Sequence, residues 1–407
     1  VTGVQTCALP ISPIITFFVL HKMCNVKDVI NMKPYNPFLV YGYNSPEYFC
    51  DREKETDKMI SALQNGRNLT LISPRRMGKT GLIKNVFYRM KQEKNPNAAY
   101  FYMDIYPTRD LKAFIQLLAQ NVLGELDTLS QNILRQMTAF FKSCRPIIST
   151  DERSGMPTVT LDFVPARAEQ TLKEILDYMA ASKKHCYLAI DEFQQITEYP
   201  EKGVEALLRS HIQFMPNVHF IFSGSKKHVM EEMFSSAKRP FYQSTQIIVL
   251  KEIPLESYYS FAHSFFAKEK RELSLEAFSY LYQLENGHTW YVQSILNRLY
   301  EKRINPIDNR LVDSCINDIL DEQETIYQSN LTLLTNNQVD LLKAIATEGC
   351  IKSINANDFI KRHHLKTPSS VNVALKSLLN KELIYNTPDG YIVYDRFFGK
   401  WLKDTVI

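Results

Sequence analysis

The stretch that decides the fold is SPRRMGKT, residues 73–80. It ends as a phosphate-binding loop does, with Gly78, Lys79 and Thr80, but Ser73 stands where the usual pattern G-x-x-x-x-G-K-S/T begins with glycine. The apolar run NLTLIS (68–73) precedes it, and apolar residues recur at helical spacing in TGLIKNVFYRM (80–90). A strand, a loop and a helix in this order let backbone N–H groups and a helix N-terminus cradle phosphate oxygens. The stretch therefore predicts a nucleotide site.

Each end of the loop has an expected task. Lys79 would neutralise charge on the β- and γ-phosphates, Thr80 would place its hydroxyl on Mg²⁺, and Gly78 would let the backbone approach closely. Serine is small and can replace the first glycine where φ is negative, so Ser73 predicts altered nucleotide affinity rather than loss of binding. The predicted nucleotide-binding set of the loop is Ser73, Pro74, Arg75, Arg76, Met77, Gly78, Lys79, Thr80 and Gly81.

Polar residues also end two other apolar strands. CYLAIDEF (186–193) ends in Asp191 and Glu192, and VHFIFSGS (218–225) ends in Ser-Gly-Ser. Asp191 is expected to hold Mg²⁺, and Glu192 is placed to polarise an attacking water as a general base. Ligands of parallel sheets bind beyond the carboxyl ends of the strands, and these tips fall at that edge together with Ser73. The alternative is that the strand simply ends in solvated acids.

The rest of the chain divides by pattern. Over residues 32–254, continuous apolar strands alternate with helices, which is typical of a parallel sheet covered on both faces. The pattern weakens over about 129–168, which we interpret as an insertion that can contain a hairpin. Residues 255–335 are helical, and 336–407 predict three helices and a hairpin turning at Pro388, Asp389 and Gly390, which together make a winged helix-turn-helix.

Composition sets limits on the class of protein. The 407 residues carry a net charge of +4, too slight to indicate a general nucleic-acid binder. Seven scattered cysteines show no zinc-ligand spacing and favour reduced thiols in the cytoplasm. No segment is apolar enough to predict a membrane span.

The N-terminal residues are excluded from the fold prediction. VTGVQTCALPI (1–11) resembles a translated sequencing-library adapter. We expect residues 1–31 to be an artefact or a disordered leader, with Met32 or Met23 as the natural start.

The order and spacing of the motifs resemble the archaeal-type ATPase family, a STAND-class branch of the P-loop NTPases related to AAA+ proteins. The matching stretches are FCDREKE (49–55), SPRRMGKT, LAIDEFQQI (188–196), FIFSGS (220–225) and GHTWYVQ (287–293). With the winged helix, the resemblance extends over about residues 36–402. It implies an α/β fold: a P-loop NTPase core with a parallel sheet, a helical lid and a C-terminal winged helix-turn-helix, with ATP and Mg²⁺ between core and lid.

The resemblance also implies individual roles. Arg52 would lie near the nucleotide, although a salt-bridged surface arginine is an equal alternative. Ser223 would be the sensor at a strand tip, which gives a catalytic set of Lys79, Asp191, Glu192 and Ser223, with Ser225 as the alternative sensor. His288 falls in the lid motif, but Thr289 replaces its usual proline, which favours a packed or exposed lid histidine over a nucleotide contact.

The arginine that often compensates charge in this family is replaced here. Ser244, in RPFYQS (239–244), stands where relatives have PLYGR. Arg239 and Arg209 are substitute candidates, acting in trans if either acts, and surface arginines are the alternative interpretation.

These observations predict a cytoplasmic, Mg-ATP-binding ATPase that hydrolyses ATP slowly and acts as a nucleotide-controlled switch, with homo-oligomerisation in the ATP state as one expectation. Two alternatives stay open: a DNA-binding regulatory module with structural nucleotide, and a protein-interaction scaffold. Double-stranded DNA would meet the third helix (367–381) of the winged helix and the basic segment KRHHLK (361–366), which is otherwise a solvated corner.

Overall fold

The computed structural model of the chain describes residues 34–126, 137–150, 157–387 and 389–405. Two compact units divide at Ile253 and Pro254. The expected leader, Pro388 of the predicted turn and parts of the expected insertion lie outside the described residues.

The first unit is built around a parallel sheet. Its elements are α1 (Glu53–Gln64), β1 (Leu69–Ile72), α2 (Lys79–Gln92), β2 (Ala98–Asp104), α3 (Leu111–Leu126), β3 (Arg145–Thr150), β4 (Pro157–Asp162), α4 (Ala168–Ala181), β5 (His185–Asp191), α5 (Val204–Ile212), β6 (Val218–Gly224), α6 (Lys227–Ser235) and β7 (Gln246–Val249). Five strands pair in the order β2-β5-β6-β1-β7, all parallel.

The sheet is buried because helices cover both faces. Every residue of β1 and β6 is buried, which explains their continuous apolar sequence. On one face, Leu63 of α1 and Val86 of α2 pack with Leu71 of β1. On the other face, Val122 of α3 and Ile175 of α4 belong to the larger apolar core. The sheet order places the ends of β5, β6 and β1 side by side, where the phosphate-binding loop begins.

The stretch interpreted as an insertion contains an antiparallel ribbon of β3 and β4. Gln116 of α3 accepts a hydrogen bond from the backbone N–H of Leu161 at 3.1 Å. The ribbon is therefore attached to a helix that covers the sheet rather than to the sheet itself.

The second unit is helical and ends in a winged helix. Its elements are α7 (Leu255–Lys268), α8 (Leu275–Leu284), α9 (Thr289–Lys302), α10 (Asn309–Thr332), α11 (Asn336–Glu348), α12 (Asn357–Arg362), α13 (Pro368–Asn380), β8 (Ile384–Thr387), β9 (Gly390–Val393) and α14 (Arg396–Asp404). The antiparallel pair β8–β9 is the wing.

Local signals in the sequence explain where the winged-helix elements begin. The Thr367 hydroxyl accepts the backbone N–H of Ser370, and Pro368 occupies the first helical position of α13. The helix α14 follows the wing and buries Phe397, Phe398 and Trp401, as expected for core aromatics.

The predicted fold class is confirmed: an α/β core with a parallel sheet, a helical segment and a C-terminal winged helix. None of the helices in the described part of the chain is both long and apolar enough to cross a membrane.

Candidate nucleotide-binding site

The loop between β1 and α2 has the backbone that phosphate binding requires. Gly78 has φ +93° and Arg76 has φ +64°, so the chain turns through the left-handed region twice before α2 begins. Ser73 is not among the residues with positive φ, and its hydroxyl donates to the carbonyl of Pro74 at 3.0 Å. Serine therefore fits the first position of the loop without backbone strain.

Lys79 is the first residue of α2, and its side chain folds back over the loop. The ammonium donates to the carbonyls of Ser73 and Pro74, both at 3.1 Å, and the residue is 5% exposed. Burial lowers the pKa of Lys79, while the carboxylates of Glu192 and Asp191 counteract this effect. Because its hydrogen-bond partners are neutral carbonyls, the ammonium keeps its charge available for an anion in the loop.

The end of β5 meets the loop through Asp191. The Thr80 hydroxyl donates to Oδ2 of Asp191 at 2.8 Å, and the Tyr102 hydroxyl of β2 donates to the same oxygen at 2.7 Å. The backbone N–H of Glu192 donates to Oδ1 at 3.1 Å. The structure thus brings together Thr80 and Asp191, the two residues predicted to hold the metal.

Glu192 is the next residue and has left-handed backbone geometry, with φ +55°. Its Oε2 accepts from the amide of Gln194 at 2.5 Å and from the hydroxyl of Ser225 at 2.6 Å. Ser225, the alternative sensor, therefore contacts the predicted base. Ser223 pairs with Leu71 in the sheet and is fully buried, and its hydroxyl has no hydrogen-bond partner among the described residues.

The remaining predicted residues surround the loop. Arg75 is half-buried with its guanidinium 5.7 Å from the Tyr106 ring, Pro74 and Arg76 are exposed, and Met77 is buried. A Cβ on Gly81 would lie 3.0 Å from the ring of Phe49, so the segment before α1 packs against the start of α2. Arg52 continues that segment: it is buried, has φ +76° and pairs with Glu55 at 3.3 Å.

The candidate arginine fingers lie elsewhere. Arg209 lines a cavity of about 370 Å³ with Asn68 and Ser244, which precede β1 and β7, so it lies at the opposite edge of the sheet from Lys79. Arg239 forms ion pairs with Glu205 and, at 3.6 Å, with Glu232. Neither arginine is placed with the residues of the loop, and Arg239 is already compensated by carboxylates.

His288, in the second unit, behaves as a packed residue. It is buried before α9, and its ring meets that of Tyr291 edge to face at 4.9 Å. These contacts are those of a packed histidine, one of the two alternatives to a nucleotide contact.

The residues present fit a nucleotide and a magnesium ion. A carboxylate and a hydroxyl, as in Asp191 and Thr80, are the oxygen ligands that Mg²⁺ takes in nucleotide sites. Lys79 supplies buried positive charge at a helix N-terminus, and the Ser223 hydroxyl is a buried polar group that lacks a partner in the described part of the chain. Such a group is costly unless something else satisfies it.

Strand, phosphate-binding loop, helix and acidic strand end together define a P-loop nucleotide-binding protein with a winged helix. The chain belongs to the family described as "ATPase domain predominantly from Archaea", which matches residues 49–295. A second description, "probable winged helix domain", matches residues 325–404. The predicted archaeal-type ATPase family is confirmed, and with it nucleotide binding as the family's common property.

Solved structures with the same fold span nearly the whole chain. The Walker-type ATPase PABY2304 of Pyrococcus abyssi has a TM-score of 0.60 at 16% identity, covering 90% of this chain and 99% of its own. The ORC2 protein of Aeropyrum pernix, solved as ADPNP-ADP complexes, has a TM-score of 0.54 at 16% identity, with coverage of 92% and 99%. The ORC1 protein of the same organism, solved with DNA, has a TM-score of 0.52 at 12% identity, with coverage of 92% and 98%. Sequence comparison with curated proteins finds no match.

Two residues of the site could not be found from the sequence. Tyr102 contacts Asp191 because β2 pairs with β5, and strand neighbours cannot be read from one sequence. Gln194 is the first of two adjacent glutamines in the short 3-10 helix Phe193–Glu198, and a glutamine in such a turn gives no signal of a site. Only its position two residues after Glu192 could have drawn attention to it.

Proposed function

We propose that this protein binds Mg-ATP and hydrolyses it slowly to ADP and phosphate, acting as a nucleotide-controlled switch of the STAND type. The observation that carries the proposal is the convergence of Lys79, Thr80, Asp191 and Glu192 at one edge of the sheet, with the hydrogen bond from Thr80 to Asp191 joining loop and strand. The free cysteines of the described residues favour the reducing cytoplasm as its location.

Each residue has a defined task in this proposal. The loop N–H groups and Lys79 bind the β- and γ-phosphates, and Thr80 and Asp191 hold the magnesium ion, which neutralises phosphate charge when bound. Glu192 accepts the proton of the attacking water. Ser223 donates its hydroxyl to the terminal phosphate, which would satisfy an otherwise unpartnered buried group.

Slow turnover follows from what the site lacks. The family's arginine is Ser244 here, and Arg239 is engaged with Glu205. Without an added positive charge, the transition state keeps a large electrostatic cost. We propose that a second copy supplies the charge through Arg209, whose position at the opposite edge of the sheet excludes action on its own site. A mixture of Arg209→Ala and Glu192→Gln chains should then recover activity that neither has alone, and turnover linear in protein concentration would contradict this.

Glu192→Gln tests the enzymatic proposal. The amide keeps the shape of the carboxylate but cannot accept a proton, so ATP binding should persist while turnover falls by about 100-fold or more. Glu198→Gln is the matched control, because Glu198 is exposed and, among the described residues, its ion pair is with the surface residue Lys226 at 3.8 Å. Equal turnover in the parent and in Glu192→Gln would show that Glu192 is not the base.

DNA binding is the second candidate function, favoured by the winged-helix match and by a structural neighbour solved with DNA. The structure reduces the number of residues in the basic segment that can contact DNA phosphates. Arg362 and His363 both pair with Glu348, at 2.5 and 2.9 Å, whereas Lys361 and Lys366 are exposed. Phosphate contacts are therefore proposed for Lys361 and Lys366, with α13 entering the major groove.

Duplex binding at low salt tests this candidate. Lys361→Ala with Lys366→Ala should weaken binding and flatten the log–log salt slope by about two units, since each lost phosphate contact removes roughly one. Lys343→Ala, on α11, is the control. Absence of duplex retention at about 50 mM salt with ATP present would reject DNA and favour the protein scaffold.

A further inference from the structure

The carboxylate of Glu192 is held by one of its two oxygens. Gln194 and Ser225 both donate to Oε2, and they come from different elements: Gln194 from the turn after β5, and Ser225 from the tip of β6. Two donors on one oxygen restrict the carboxylate, and among the described residues no hydrogen bond is made to Oε1, which stays available to another partner. A general base needs this arrangement, because it must present one lone pair toward the water while its own position stays fixed.

Gln194 is buried at a cost to stability. It is 3% exposed, and its amide oxygen has no hydrogen-bond partner in the parts of the chain that the structure describes. A buried amide that satisfies its N–H group but not its carbonyl destabilises the fold relative to an apolar side chain of the same size. The orientation of the amide is fixed chemically, because the carboxylate of Glu192 can only accept.

Gly224, which lies against the amide of Gln194, has no space for a side chain. A Cβ on Gly224 would lie 2.4 Å from the amide oxygen of Gln194 and 2.5 Å from the sulfur of Met230. Gly224 lies between Ser223 and Ser225, so the same strand tip holds the candidate sensor, the space for Gln194 and the second donor to Glu192.

We propose that Gln194 and Ser225 are positioning residues that orient Glu192 for proton abstraction. The proposal rests on the proposed function, in which Glu192 is the base. Gln194 is the more rigid member, because its side chain is buried and its amide lies directly against Gly224. Ser225 links the orientation of the base to the strand tip that would sense the terminal phosphate.

The test is Gln194→Met in the full-length chain, with Gln195→Met as the control. Methionine keeps the volume but donates no hydrogen bond, so Glu192 loses its rigid support. We expect kcat to fall about tenfold or more, because one hydrogen bond to a charged group is lost. KM and ATP affinity should stay unchanged. The melting temperature should stay the same or rise, since the buried unpartnered oxygen is removed. Gln195 hydrogen-bonds the carbonyl of Thr108 at 3.2 Å instead, and its variant should keep the parent kcat.

Two further variants keep the outcome decisive. Gly224→Ala should reproduce the loss of kcat by displacing the amide, and adding Gln194→Met to Glu192→Gln should cause no further loss if both act through the base. A parent-like or increased kcat in folded Gln194→Met overturns the positioning role, while Glu192→Gln remains inactive. No ATP turnover in the parent itself would remove the proposed function and this inference together.

Discussion

Glu285 gives the second unit a pH dependence that can be worked out from the structure. The residue follows α8 and is 3% exposed, and its Oε2 has no hydrogen-bond partner among the described residues. Arg396 donates to the main-chain carbonyl of Glu285 at 2.7 Å rather than to the carboxylate. Burial raises the pKa of Glu285 from 4.5 to about 7, although the charges of Arg396 and Lys400 lower it.

The sign and size of the effect follow from these two pKa values. The folded chain holds the proton more tightly than the unfolded chain, so the free energy of unfolding is greatest below about pH 4.5, falls as the pH rises and levels off above about pH 7. At about 1.36 kcal/mol for each pH unit between the two pKa values, Glu285 lowers stability by roughly 2.5 kcal/mol between pH 5 and pH 8.

The perturbation is Glu285→Gln, which keeps the shape and removes the titration. The free energy of unfolding of the second unit is measured by urea titration at about pH 5 and pH 8. Between these two pH values, the free energy of unfolding of the variant should rise by roughly 2.5 kcal/mol relative to that of the parent. Glu276→Gln, at an exposed position of α8, is the control and should follow the parent. A constant difference between parent and Glu285→Gln over this range would refute the buried, protonated carboxyl.

Two further predictions concern stability and the loop. Arg271 donates to the carbonyls of Leu299 at 2.6 Å, Tyr300 at 3.0 Å and Ile304 at 2.8 Å, so Arg271→Ala should destabilise the second unit by about 3 kcal/mol, measured by urea unfolding, with Arg271→Lys in between. A loss below about 0.5 kcal/mol would show that water replaces the guanidinium. Ser73→Gly should leave the fold intact and change nucleotide affinity by less than about tenfold, because the Ser73 hydroxyl contacts only the carbonyl of Pro74 in the described hydrogen bonds. Titration calorimetry checks this, and abolished binding would contradict it.

The sequence predicts the elements that carry the site well, because their signals are local. The helix expected over residues 80–90 is Lys79–Gln92, and the strand expected over 186–193 is His185–Asp191. In both cases apolar spacing and the polar residues at the ends come from neighbours in the chain. The last strand of the sheet begins only at Gln246, because the Ser244 hydroxyl donates back to the carbonyl of Phe241 at 2.7 Å and closes a turn just before it.

What the sequence leaves open depends on contacts between distant residues. The hydrogen bond from Tyr102 to Asp191 requires the strand order, and the pairing of Arg239 with Glu205 requires α5 to lie beside the segment after α6. The pairing of Arg362 with Glu348 similarly depends on how α11 meets α12. The sequence alone does not show whether a charged residue has an ion-pair partner. These pairings therefore reduced the candidate arginine fingers and the candidate DNA-phosphate contacts to fewer residues.

The central claim is that the loop around Lys79 binds nucleotide, and a thermal shift with Mg-ATP tests it most directly. At 100-fold over its Kd, the nucleotide should stabilise the parent by about 2.7 kcal/mol. Lys79→Ala should fold, because burial of the charged ammonium is unfavourable, as its lowered pKa indicates, and the variant removes that cost. It should show no thermal shift with Mg-ATP. Lys91→Ala, at an exposed position of the same helix, should show the parent's shift. An undiminished shift in Lys79→Ala would contradict the account.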